Sequence, residues 1–343
     1  MTARRGRVAA LAAASILLAP AFPTDRAEAA AQETHLVVVS GLGGEPRFQD
    51  EFLTWGQLIF DAGLAAGVRP ENATFLAEDP ARDPERIRAR STREEVEAAI
   101  LEIADHAGPE DRVLIVLIGH GAGSGEDSMV SLPGPSLRAS DYAALLDPLA
   151  PRSVALVNTA SASGDFARVL SGENRIVITA TRSAGQRNAT LFGLHFAEAF
   201  AGEGADIDRD GRVSLLEAFE YARRETERHY TDRGLIQSEQ ALLEDRPSGP
   251  GVTRPDEEPE VGGLAARFFL EPERAVTVPE DPEVAARLSE LQDRRDQLEA
   301  EIDALGERRG ELSPEEYQEA LEALLVELSR VGQEIREVEG GGP

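Results

Sequence analysis

The acid-rich stretch DIDRDGRVSLLE, residues 206–217, has oxygen-bearing side chains at the spacing of a calcium-binding loop. In loop order, the candidate ligands are Asp206, Asp208, Asp210, the main-chain carbonyl of Arg212, Ser214 and a bidentate Glu217. Gly211 lies where such loops turn sharply, and a hard cation takes about six to eight oxygen ligands. We therefore expect an EF-hand-like loop whose calcium ion stabilises the domain. The alternative is an acidic turn that matches the pattern by chance.

A second candidate site follows two apolar runs. His120 comes directly after the run VLIVLI and is flanked by Gly119 and Gly121, while Ser161 follows the run SVALV. Because the carboxyl ends of neighbouring parallel strands meet at one edge of a sheet, we expect Ser161 to lie beside His120. A histidine next to a hydroxyl is the chemistry of a general base and its nucleophile. The alternative is a structural histidine beside a capped turn.

Strands and helices must position these residues, and apolar runs alternate with segments of helical periodicity from His35 onward. The run VLIVLI is apolar on both faces, as in a central strand of a parallel sheet. This alternation predicts an α/β fold with a mostly parallel sheet covered by helices on both faces. We expect the domain to span residues 30–245, with a hairpin or loop at SMVSLPGPS, residues 128–136.

Residues 246–281 are rich in proline, glycine and acidic side chains, which is typical of a linker or a long surface loop. Within them, LAARFFLEP (residues 264–272) has enough apolar residues for an edge strand. In residues 282–343, apolar residues recur at alternating spacings of four and three in two arms joined by a short turn. This pattern predicts a C-terminal antiparallel coiled-coil helical hairpin. It would act as a stalk, or in self-association or partner docking.

The N-terminal residues 1–29 have the pattern of a signal peptide. Arg4, Arg5 and Arg7 precede the apolar run VAALAAASILLAPAF, and small-residue cleavage patterns follow. The run is shorter than the roughly 20 residues that a membrane-spanning helix needs. We therefore expect an exported protein, periplasmic or extracellular, with no membrane span after cleavage.

The composition excludes several partners and chemistries. With 63 acidic and 35 basic residues, the formal net charge is -28, which disfavours binding to nucleic acid and to anionic membranes. The chain has no cysteine, so disulfides, zinc–thiolate sites and a cysteine nucleophile are excluded.

Several motifs together resemble the caspase-like clan, in particular legumain-type peptidases and exported bacterial caspase-like proteins. The motifs that resemble this group are SGLGG, GHG, NTASASG, ITATRS with RNATLFG, and DIDRDGRVSLLEAFEYA. The resemblance covers roughly residues 35–245 and implies a caspase-like fold. It also implies a His/Cys dyad, with an oxyanion held by main-chain N–H groups. On these motifs, His120 matches the dyad histidine, Gly121 the oxyanion glycine and Ser161 the cysteine.

Two departures from that family bear on activity. Serine replaces the nucleophilic cysteine at position 161, and Gly43 stands near the place of the asparagine that orients the histidine in legumain-type enzymes. A serine hydroxyl ionises far less readily than a thiol and needs a base that a third group holds in place. The sequence offers no evident acid for that role.

We therefore expect a catalytically inactive homologue that binds a peptide or a protein. One alternative is an active peptidase or other hydrolase that uses a Ser161–His120 dyad. The other alternative is a structural protein that assembles through its coiled-coil tail.

Overall fold

The computed structural model describes residues 32–150, 152–202, 204–272, 282–308 and 312–339. The predicted signal peptide, residues 1–29, lies outside this range. The strands are β1 Thr34–Ser40, β2 Ala73–Ala77, β3 Ile87–Arg90, β4 Arg112–Ile118, β5 Gly121–Ala122, β6 Met129–Val130, β7 Ser153–Asn158, β8 Arg175–Thr179 and β9 Leu242–Glu244. The α-helices are α1 Pro46–Ala65, α2 Arg93–His106, α3 Ala139–Leu146, α4 Asp165–Leu170, α5 Phe192–Ala201, α6 Leu215–Asp232, α7 Pro282–Glu307 and α8 Pro314–Glu339.

Seven of the described strands form one sheet in the order β3-β2-β1-β4-β7-β8-β9. All neighbours pair in parallel except β8 and β9, which are antiparallel. The predicted α/β class with a mostly parallel sheet is confirmed. The short strand β3 was not expected, because its sequence IRAR is only four residues long and half charged.

Helices cover both faces of the sheet. Helices α1, α5 and α6 pack on one face through side chains that include Trp55 and Phe196. Helices α2, α3 and α4 pack on the other through side chains that include Ile100 and Phe166. The central strands β1 and β4 are buried along their whole length, because each of their faces lies under a helical layer.

The order of the strands determines where loops can form a site. From β1 the chain moves outward to β2 and β3, and it then crosses back to β4 on the opposite side of β1. Ligand sites of open α/β sheets lie at the carboxyl ends of strands around such a switch point. The loops after β1, β4, β7 and β8 therefore meet at this edge.

The predicted hairpin or loop at residues 128–136 is a loop that follows β6, and an isolated antiparallel bridge between Met129 and Arg138 closes it. The two-stranded ribbon pairs β5 with β6, so its turn lies between residues 122 and 129. Gly123 and Gly125 in that turn have φ values of +81° and +59°, which glycine adopts at little cost.

The predicted edge strand in residues 264–272 is wrong, since the edge strand on that side is β9. The segment instead forms a 3-10 turn, Ala265–Arg267, and one isolated bridge between Phe269 and Ser214. Its apolar side chains, including Phe268, are buried in the core on the α6 side. Asp245 anchors it, because its buried carboxylate accepts hydrogen bonds from the main-chain N–H groups of residues 262, 264 and 265. Residues 246–272 are therefore packed onto the domain, beyond the boundary expected at 245.

Helices α7 and α8 pack on each other through the buried apolar residues Leu288, Leu291, Leu298, Leu328, Val331 and Ile335. Ion pairs join Arg287 to Glu334 and Arg294 to Glu327, so the two helices run antiparallel. Supercoiled knobs-into-holes packing and self-association through this pair stay predictions. Within the described residues, no helix combines the length and the apolar character needed to cross a membrane.

Candidate functional site

The turns that follow β4 and β7 are in direct contact. The main-chain N–H of Gly121 donates a hydrogen bond to Ser161 Oγ at 3.2 Å. A Cβ atom at position 121 would lie only 1.9 Å from the main-chain oxygen of Ser161. Glycine is therefore required at 121 by the close approach of the two turns, whatever chemistry the site performs.

The turn around Ser161 is buried and held by hydrogen bonds on both sides. Ser161 is only 3% exposed. The next residue, Ala162, has a left-handed φ of +52°, and its N–H donates to the carbonyl oxygen of Gln186 at 2.7 Å. Ser163 Oγ lies 3.2 Å from Thr181 Oγ1, so the loop after β8 closes over the turn.

One ring nitrogen of His120 faces the loop that follows β1. His120 Nε2 lies 3.2 Å from the carbonyl oxygen of Gly43. Because a carbonyl only accepts, Nε2 carries the proton in this contact. Phe48 and Phe52 meet the imidazole edge-on, with ring centroids 4.6 and 5.0 Å away. Over the described part of the chain, His120 has no hydrogen bond to Ser161 and none to a carboxylate.

Sequence reasoning missed one residue that supports His120 indirectly. Glu78 follows β2 and accepts a hydrogen bond from the N–H of Gly43 at 3.0 Å through Oε2. A carboxylate thus holds the same glycine whose carbonyl orients His120. The signal was an acidic residue directly after the apolar run TFLA, but its role depends on β2 lying beside β1.

The candidate calcium loop, residues 206–217, brings three of its predicted ligands together. One carboxylate oxygen from each of Asp206, Asp208 and Asp210 lies within 4.8 Å of the other two. Asp206 Oδ1 is buried and has no hydrogen-bond partner, whereas Asp206 Oδ2 accepts from the N–H of Gly211 at 3.0 Å. Gly211 has a φ of +87°, which produces the expected sharp turn. An oxygen-rich group with one unsatisfied buried oxygen fits a hard cation such as Ca²⁺.

The last three predicted ligands are arranged differently. Glu217 Oε2 accepts hydrogen bonds from the N–H and Oγ of Ser214, both at 2.9 Å, and so forms a capping box for α6. Glu217 Oε1 accepts from the N–H of Ile207 at 2.8 Å. The guanidinium of Arg212 pairs with Asp210 and stacks on Phe269, while its carbonyl is the predicted ligand. Coordination by Arg212, Ser214 and Glu217 stays a prediction.

The electrostatics of this loop favour a cation. Burial and the neighbouring carboxylates of Asp210, Glu217 and Asp206 raise the pKa of Asp208 to about 7. A carboxylate whose ionisation is opposed by like charges gains stability when a cation is bound beside it.

Comparisons with known proteins place no family on this chain. No protein-family model matches it, and no curated protein matches it. Among solved structures, the crystal structure of protein GSU0716 from Geobacter sulfurreducens is similar over 63% of this chain and 95% of its own, with 12% sequence identity and a TM-score of 0.43. Functional inference therefore has to start from the geometry of this chain's own residues.

Proposed function

We propose that the protein is a non-catalytic caspase/legumain-like domain that binds an extended peptide or a protein segment at the carboxyl edge of β4, β7 and β8. The observation that carries this proposal is the hydrogen bond from the N–H of Gly121 to Ser161 Oγ. The resemblance assigns that N–H to the oxyanion hole. Here the side chain in the nucleophile position already engages it.

The contacts of His120 argue against hydrolysis by the same pair. A serine nucleophile needs a base that removes its proton in the transition state. Within the described residues, His120 makes no hydrogen bond to Ser161, whose Oγ is engaged by Gly121, and Ser161 is buried. The substrate's electrophilic carbon would have to reach Ser161 Oγ, but the turn leaves Ser161 only 3% exposed.

Exposed apolar side chains in the segment after α6 support a binding role. The loop after β8 contacts the turn through Gln186, and Gln186 also accepts from the main-chain N–H of Gln240 at 3.4 Å. The segment that leads to Gln240 carries Leu235 and Ile236, which are 55% and 93% exposed. Solvent-exposed apolar residues are suited to contact a partner.

Calcium is part of the proposal as a structural ion. Asp206, Asp208 and Asp210 would hold it, and the ion would neutralise their mutual repulsion. The isolated bridge between Ser214 and Phe269 connects this loop to the packed segment 246–272. A bound ion would therefore stabilise both. Export from the cytoplasm is part of the same proposal. Calcium is abundant outside the cytoplasm, so that even a weak site would be filled there.

A labelling experiment tests the absence of catalysis. Wild-type protein is treated with a fluorophosphonate probe beside Ser161→Ala and an active serine protease as a positive control. We expect labelling of the protease alone. Labelling of the wild type that disappears in Ser161→Ala would overturn the proposal.

The variant Ser161→Cys sharpens this test, because its thiol is the only one in the chain. A working dyad would lower the thiol pKa and accelerate alkylation by iodoacetamide. We expect alkylation at least about tenfold slower than that of free cysteine, since the position is buried. The unfolded variant, which should react at the free rate, is the control.

Binding is tested with an array of fluorescent eight-residue peptides of all residue types. We expect a defined subset to bind the wild type and to lose binding in Leu235→Asp and Ile236→Asp. Leu101→Asp is the matched control, because Leu101 is a 44%-exposed apolar residue on α2. Equal loss in all three variants, or no binding by the wild type, would refute a peptide site at this edge.

A further inference from the structure

A separate cavity of about 380 Å³ opens at the carboxyl ends of β1, β2 and β3. Its volume lies within the range of small-molecule sites, roughly 300–1,000 Å³. It is on the other side of His120 from Ser161, because β1 and β2 lie beyond β4 in the sheet. The polar residues that line it are Ser40, Gln49, Glu78, Asp79, Arg82 and Arg90.

Ser40 places a hydroxyl at the wall of this cavity. Leu36 and Val38 of β1 belong to the core on the α1 face, so Ser40, two residues further along, lies on the same face. Gln49 of α1 also lines the cavity. Ser40 is 3% exposed, and its main-chain oxygen accepts a hydrogen bond from Ser91 Oγ at 2.7 Å. A buried hydroxyl at a cavity wall is suited to bond an occupant.

Among the arginines between residues 82 and 93, Arg90 has no ion pair with a carboxylate of the described residues. The other arginines between 82 and 93 each have a described ion pair: Arg82 with Asp50, Arg86 with Asp61 and Asp83, Arg88 with Glu102, and Arg93 with Glu97 and Asp141. Arg90 donates through Nε to the carbonyl oxygen of Glu78 at 3.1 Å. Its terminal nitrogens have no partner among the described residues, so a carboxylate in the cavity would give Arg90 the ion pair it lacks.

Two carboxylates stand on the same wall. Glu78 accepts from the N–H of Gly43 and from Nε2 of Gln49, and Asp79 accepts from the N–H of Ala81. Each retains acceptor capacity, because an ionised carboxylate has about four lone-pair sites. Arg82 and Arg90 also line the cavity, so its lining has two positive and two negative side chains. A ligand that carries a single charge would pair with the lining side chains of opposite sign and leave the others without a counter-charge.

We propose that this cavity binds a small zwitterion of the amino-acid or dipeptide type. The ligand's carboxylate pairs with Arg90 and accepts from Ser40 Oγ, and its ammonium group lies against Glu78 and Asp79. This site does not depend on the peptide site at Ser161, and either proposal stands if the other fails.

The site is coupled to His120 through two hydrogen bonds. Glu78 holds the N–H of Gly43, and the carbonyl of Gly43 accepts from His120 Nε2. An ammonium group that draws the Glu78 carboxylate toward itself weakens its bond to Gly43 and shifts the ring of His120. The ring signals of His120 therefore report occupancy of this cavity.

The test uses calorimetric titration of the mature protein with each standard L-amino acid, with Gly-Gly and with Ala-Ala. Ethylamine and propionate, which each carry one of the two charges, are the ligand controls. We expect at least one zwitterion to bind with a dissociation constant of about 10 mM or lower and to shift the NMR signals of the His120 ring. Neither ligand control should bind or shift these signals. A preference for amino acids or for dipeptides identifies the source of the ligand.

Variants locate the binding. Arg90→Gln should weaken binding at least about tenfold, and Ser40→Ala should weaken it several-fold, because charge-assisted hydrogen bonds are lost. Arg88→Gln, a paired arginine on the same strand, should leave it unchanged. Melting curves confirm that each variant is folded. Absence of binding by every zwitterion, or equal affinity in wild type, Arg90→Gln and Ser40→Ala, would overturn the proposal.

Discussion

The turn that carries Ser161 and the loop that carries Asp206 differ in how their polar groups are satisfied. At the turn, Ser161 Oγ accepts from Gly121 and the neighbouring Ser163 bonds Thr181. In the loop, three carboxylates crowd together and Asp206 Oδ1 is buried without a partner in the described chain. Both stretches contain residues of a known chemistry, but the unsatisfied buried atom of the loop is an acceptor, which suits a cation, while the one directly before the turn, Asn158 Nδ2, is a donor.

This difference teaches that residue types alone do not identify a working site. A group that already has its partners gains little from a ligand, while a buried unsatisfied group costs free energy until a ligand arrives. We expect the largest loss of stability from a change that forces the Ser161 turn apart, and the smallest from removal of the Ser161 hydroxyl alone.

Gly121→Ala should disrupt the Ser161 turn. Its Cβ would lie 1.9 Å from the main-chain oxygen of Ser161, so one of the two turns must move. We expect a loss of about 3 kcal/mol or more in the free energy of unfolding, measured by urea denaturation. Gly263→Ala is the control, because a Cβ there meets no atom within 4 Å and should change stability little. A stable Gly121→Ala would show that the turns are not tightly packed.

Removal of calcium should destabilise the protein through the loop. At a hundredfold excess over the dissociation constant, a bound ion adds about 2.7 kcal/mol, or about 5–10 °C in Tm for a domain of this size. We expect EDTA to lower the Tm of wild type by that amount and to have no effect on Asp206→Asn. Asp105→Asn, at an exposed position on α2, should behave like wild type. A wild-type Tm that does not respond to calcium would remove the ion from the proposal.

Asp111 provides a satisfied carboxylate for comparison with Asp206. Its oxygens accept from the N–H groups of Glu33 and Gly108, at 2.9 and 2.7 Å, and contact His35 Nε2 at 3.2 Å. Burial opposes ionisation, but these hydrogen bonds outweigh it and lower the pKa of Asp111 below its ordinary 3.8. Because the folded pKa is depressed, the stabilisation is present above pH 3.8 and is lost as the pH falls through the folded value.

Asp111→Asn should therefore cost about 1–3 kcal/mol at pH 7, and the difference from wild type should shrink in acid. Urea denaturation at a series of pH values measures it. Glu110→Gln, at the exposed neighbouring position, is the control. A difference that stays constant between pH 7 and pH 2 would mean that the charge of Asp111 does not matter.

Ser161→Ala should have the smallest effect. It removes the acceptor for the N–H of Gly121, which costs about 1 kcal/mol in unfolding free energy. We also expect peptide binding to persist, since Leu235 and Ile236 are unchanged in this variant. Loss of binding with an unchanged fold would instead place Ser161 in contact with the ligand.

The sequence predicted the class of the fold well, and it did so from strong local signals. Apolar runs such as VLIVLI identify buried strands, and this run forms β4, which is buried along its whole length. The edge of the sheet was predicted poorly. Residues 264–272 are as apolar as a strand, but their side chains pack into the core beside α6, a choice that depends on tertiary contacts.

The sequence by itself determined that no thiol chemistry exists, that Asp206, Asp208 and Asp210 share one loop, and that two strands end in GHG and TASASG. Only the tertiary structure decided which groups meet. The direction of the His120 ring, the occupation of the Gly121 N–H and the link from Glu78 to Gly43 depend on strands far apart in sequence. Hydrogen bonds act over about 3 Å. Spacing along the chain therefore brings candidates to one edge of the sheet, and packing determines which atoms are partners.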